Sequence, residues 1–87
     1  MSTIVKTWSN GSVSIAVEAG KDSMNQENNG PHVHVYKRDR RTKSRIPGKN
    51  KDLDAKDYDI AEKLFYDNYR EIDFYCNQVR EGKYDDR

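Results

Sequence analysis

The chain has 87 residues, of which 33% are hydrophobic and 36% charged, with a formal net charge of +1 and a mean hydropathy of −1.19. Leu, Ile, Val and Phe number 15 of 87, under the ~20% share where disorder competes with folding, but the near-zero net charge belongs to a folded chain. One thin-cored domain over residues 1–87 is implied. No apolar run is long enough to span a membrane, and a single cysteine, Cys76, excludes an internal disulfide. A metal or a partner chain is left as the extra support small cores need.

Thr3 to Trp8 reads as a weak first strand, and Ser9-Asn10-Gly11 as a hairpin turn. Ser12 to Glu18 alternates strictly, with Val13, Ile15 and Val17 on one face, the pattern of a half-buried strand. Residues 19–31 form a polar loop rich in Gly and Asn. His32 to Lys37 alternates again, so Val33 and Val35 share one face and His32, His34 and Tyr36 the other. Arg38-Asp39-Arg40 can turn the chain, Thr42 to Ile46 returns as a charged edge strand, and Pro47-Gly48 ends it.

From Asp54 the period changes. Asp54 or Asp57 can cap a helix start. Ile60, Leu64, Ile72, Cys76 and Val79 fall near one face, with Phe65, Tyr69 and Tyr75 widening the stripe and Gly82 just past the end. This predicts one long helix over roughly 55–81, with a frayed tail at 83–87. The expected fold is α+β: an antiparallel sheet of three to four strands packed by that helix through Val13, Ile15, Val17, Val33 and Val35.

Charge is segregated along the chain. Residues 1–36 carry net −1, residues 37–51 net +7 and residues 52–87 net −5. Such a split suits steering toward a charged partner, although charge runs are also ordinary solvated surface. Two sets of contact residues follow: Asp59, Glu62 and Asp67 on the helix, or Arg38, Arg40 and Arg41 in the basic stretch. That stretch also suits phosphates, with Tyr36 available to stack a base, but the acidic helix would repel the same ligand.

One motif carries specific chemistry. His32 and His34, at i and i+2, point to the same side of a strand. Two imidazoles held this way can reach one zinc ion at ~2.0–2.1 Å. Cys76 and Glu18, with Asp73 as a further choice, are the candidates to complete the shell. Two surface histidines and a core-filling Cys76 are the plainer alternatives. The valine alternation raises an objection, since it sends the histidines away from the helix that carries Cys76. No nucleophile elbow, Walker loop or dinucleotide fingerprint accompanies these residues, so the expectation is a binding protein and not an enzyme. Met1 to Trp8 holds no apolar signal core, and with one thiol the expected compartment is the cytoplasm.

The Thr-Ile strand, the loop ending Gly30-Pro31-His32-Val33-His34-Val35, and the helix Asn68-Tyr69-Arg70-Glu71-Ile72 running to Val79-Arg80-Glu81-Gly82-Lys83 carry a resemblance. Together they resemble a small bacterial Pro-His-x-His domain family of unknown function, presumed to belong to toxin–antitoxin systems. Gly30 stands where that family has a first proline, the basic stretch is longer, and Cys76 stands where a tryptophan is usual. In size, charge and lack of catalytic groups the chain is also similar to phage anti-CRISPR proteins, some of which contain metal. That likeness implies an inhibitor of a type II RNA-guided nuclease, acting by protein–protein contact and carrying zinc. The family resemblance implies instead a toxin–antitoxin component acting on RNA.

Overall fold

The structure, a computed structural model, describes residues 3–19, 31–48 and 50–82. The alternating segments form four strands, β1 (Thr3–Asn10), β2 (Val13–Ala19), β3 (Val33–Lys37) and β4 (Arg40–Ile46). They pair antiparallel in the order β1-β2-β3-β4. Two helices follow, α1 (Ala55–Asp67) and α2 (Tyr69–Arg80), and the class is α+β. Of the expected loop over 19–31, Ala19 ends β2 and residues 20–30 lie outside the described residues, as does the tail over 83–87. Among the described residues no helix is long and apolar enough to cross a membrane.

Both described hairpins turn on two residues. In the first, Asn10 pairs with Val13, so the turn is Gly11-Ser12, one residue later than the sequence suggested. Gly11 has φ 65°, a left-handed conformation that glycine adopts without the Cβ clash. In the second, Lys37 pairs with Arg40, and Arg38 (φ 51°) and Asp39 (φ 66°) are both left-handed, as a type I′ hairpin turn requires. The Arg38 amide donates to the Ser12 carbonyl at 2.9 Å, which ties this turn to the neighbouring one.

The core follows the alternation. Val13, Ile15, Val17, Val33, Val35 and Ile46 bury against Ala61, Phe65, Ile72, Cys76 and Val79 of the helices. Trp8 of β1 joins its edge, stacks edge-on to Tyr75 at 6.2 Å, and donates its indole N–H to Glu71 at 3.0 Å. At the other edge, the Asp52 carboxylate accepts the Lys43 amide at 2.9 Å and the Ser44 hydroxyl at 3.0 Å. Segment 50–53 thereby covers part of the free edge of β4, a common way to block strand addition.

The single long helix is corrected to two. Asn68 leaves helical geometry (φ −117°, ψ 23°), and its side-chain amide donates to the Leu64 carbonyl at 2.9 Å beside its own backbone N–H at 3.2 Å. A polar side chain competing for a carbonyl in the ladder bends a helix in this way. The buried stripe shifts accordingly. Ala61 and Phe65 are buried where Ile60 and Leu64 were expected, and the latter two are half-buried. Gly82 (φ 81°) donates its N–H to the Val79 carbonyl and closes α2 as read from the sequence.

Candidate functional site

The sheet face turned away from the helices carries the polar cluster. Opposed residues in an antiparallel pair share a face. The register sets Ala16 against His34, Tyr36 against Arg41, and His34 against Arg45. Between those last two pairs β3 advances two residues and β4 four, a bulge over Thr42–Ser44. Thr42 anchors the bulge by donating to the Val35 carbonyl at 2.8 Å. The bulge brings Arg41 and Arg45 to either side of His34.

Glu18 is the buried centre of this cluster, its side chain only 1% exposed. Tyr36 donates its hydroxyl to Glu18 Oε2 at 2.5 Å, within the range of a charge-assisted bond. Arg41 Nη2 stands 3.1 Å from Oε1, an ion pair and not an aligned hydrogen bond. The same Nη2 lies 3.1 Å from Nδ1 and 3.3 Å from Nε2 of His34. Burial, and then the bond to Glu18, push the Tyr36 phenol up to about 12, so it stays a donor. Burial, only in part offset by Glu18 and reinforced by Arg41, His32 and Arg45, brings His34 down to about 4. The ring is neutral at pH 7.

A pH dependence follows. The folded pKa of His34 lies below its ordinary 6.5, so protons bind the unfolded chain more readily. Its contribution to stability is present above pH 6.5 and is lost as pH falls toward about 4. The loss is at most about 1.4 kcal/mol per pH unit, and less because solvent reaches part of the ring. Urea melts of wild type and His34→Gln between neutral and acid pH are expected to converge as the pH falls. Parallel curves would remove His34 as the cause.

The expected metal ligands are only partly brought together. His32 and His34 stand with ring centroids 5.7 Å apart, and Glu18 is on the His34 side of the sheet. Cys76 sits in the core on α2 and donates its thiol to the His32 backbone carbonyl at 3.5 Å. Burial pushes that thiol up, away from the thiolate that binds metal. Asp73 is half-buried on α2. Among the described residues no three His, Cys, Asp or Glu side chains are placed to hold one ion.

The expected contact residues fall on separate surfaces. Asp59 and Asp67 are exposed on the outer side of the helices and Glu62 is half-buried at its flank. Asp67 pairs with Lys63 at 3.7 Å. Arg38, Arg40 and Arg41 are exposed on the β3–β4 hairpin. The sequence reading missed Tyr66 and Phe74, which are 61% and 55% exposed. Arg70, also exposed, lies four residues from each. A count of i, i+4 neighbours on the polar side of the helix would have found them.

No protein-family model, curated protein or solved structure matches the chain.

Proposed function

We propose that the protein acts by binding another protein through the outer face of α1 and α2, as an inhibitor of a nucleic-acid-processing effector of the RNA-guided nuclease type. The observation that carries this reading is the exposed run Tyr66–Arg70–Phe74, bordered by Asp59 and Asp67. Tyr, Phe and Arg are the residues that concentrate at interface centres. The helical ladder continues across Asn68, since Ile72 N–H bonds the Asn68 carbonyl at 3.0 Å, so the three side chains form one stripe. The bordering acids suit a basic surface, such as the wall of a nucleic-acid channel.

Capture of candidate nucleases is expected to fall at least tenfold for Tyr66→Ser with Phe74→Ser, and to weaken with Asp59→Lys and with added salt. These positions are exposed, so the fold is expected to survive. Equal capture by wild type and variants would discard the reading. Growth arrest on expressing the chain alone would favour the toxin–antitoxin alternative.

Zinc on the His32–His34 pair is a second reading, favoured by the 5.7 Å approach of the rings. The remaining ligands would come from outside the described residues or from a second chain, and Arg41 would have to leave His34. About one zinc per chain after desalting supports it. Less than about a tenth of an equivalent discards it.

A further inference from the structure

The cations of β4 and its flank converge. Arg41, Lys43, Arg45 and Lys51 line one shallow depression with His34 and Thr42. Of these four cations only Arg41 has an acidic partner among the described residues, Glu18; no ion pair there takes Lys43, Arg45 or Lys51. The neighbouring depression differs, because there Lys37 pairs with Asp57, and Asp52 and Asp54 line the same wall. Positive charge is therefore balanced on one side of the hairpin and left in excess on the other. Cations gathered in a concavity without acids repel one another and attract an anion.

Arg41 is held in place for such a ligand. Its contacts to Glu18 and His34 all run through Nη2, and the side chain is 42% exposed, so part of the guanidinium is open to a ligand. A guanidinium fixed from behind by a carboxylate keeps the planar fork that matches a phosphate. Glu18, nearly sealed from solvent and tied also to Tyr36, provides that fixing.

We propose that this depression binds the phosphates of a single-stranded nucleic acid, with Arg41, Lys43, Arg45 and Lys51 as ligands and Glu18 as the positioning residue for Arg41. The site is a row of cations along a strand on a sheet face, which fits an extended chain of charges better than one small anion. The Tyr36 and His34 rings lie on the same face and offer flat surfaces for bases, the combination that single-strand binders use. This surface is separate from the helical stripe, so its test does not depend on the effector reading.

The test measures binding of a labelled RNA oligonucleotide over a range of salt, in the presence of a chelator. Inorganic phosphate and a poly-glutamate peptide of equal charge serve as competitors. The salt slope is expected to flatten by about 0.7 for each of Lys43→Gln, Arg45→Gln and Lys51→Gln. Lys56→Gln, a cation on α1 outside the depression, is expected to leave it unchanged. Tyr36→Phe keeps the ring and every cation but frees Glu18, so affinity falls while the slope stays. Wild-type slopes in all three pocket variants would overturn the proposal. So would poly-glutamate competing as well as RNA, or inorganic phosphate moving the same backbone amide resonances with no tighter binding of the oligonucleotide.

Discussion

Phe65→Ala is expected to cost about 3–5 kcal/mol and to leave the chain largely unfolded at 37 °C. Phe65 is 2% exposed and belongs to the cluster that joins both helices to the sheet. It sits three residues before the Asn68 break, with its ring 5.0 Å from Tyr66 and 5.5 Å from Tyr69. The cavity would therefore open where α1 hands over to α2, a place with few other contacts to collapse inward. A chain of this length has a total stability of about 4–13 kcal/mol. With so few aliphatic side chains the lower part of that range is the relevant one, and a single truncation approaches the whole of it. Thermal and urea melts decide the matter. A loss under about 1 kcal/mol would mean that the helices are held on the sheet by something other than this cluster.

The sheet was legible because its inward valines and Ile15 recur with a period of two, although β2, expected to be half-buried, also buries Ala16 and Glu18 on its opposite face. Val13, Ile15 and Val17, then Val33 and Val35, are the buried face, and the hairpin turns sit within a residue or two of their glycine and charge signals. The helix was legible in type but not in continuity. The stripe from Leu64 to Ile72 skips position 68, and Asn68 there is the residue whose backbone leaves helical geometry and divides α1 from α2. Its effect depends on a side-chain bond to Leu64, which spacing alone does not reveal.

The polar cluster was less legible still. His32 and His34 could be paired from sequence because strand geometry alone sets i and i+2 on one side. Glu18, Tyr36 and Arg41 come from three strands, and their meeting depends on register across a long connection and on a bulge in β4. Neither is written in local pattern. The same holds for Trp8 and Glu71, 63 residues apart. The charged edge strand was read at Thr42 to Ile46 and found at Arg40–Ile46, but that its cations share a depression with a buried carboxylate beside it was not legible.

Arg41→Met is expected to destabilise the protein by about 3–5 kcal/mol, more than its partial exposure suggests, because the cost falls on Glu18. With the guanidinium gone, a carboxylate whose side chain is 1% exposed keeps, among the described residues, only the Tyr36 hydroxyl. A buried charge left with one hydrogen bond is far more costly than a pair never formed. The double variant, Glu18→Gln with Arg41→Met, removes the charge as well as its partner. Its amide can still accept from Tyr36, so it is expected to recover most of the loss. Glu18→Gln alone should lie between, since Arg41 reaches solvent and can rehydrate. A double-mutant cycle from urea melts at pH 7 therefore should show strong non-additivity, with the double variant more stable than Arg41→Met. Additive losses would mean that Glu18 and Arg41 do not act as a pair in solution. The fixed guanidinium on which the phosphate site depends would then be absent as well.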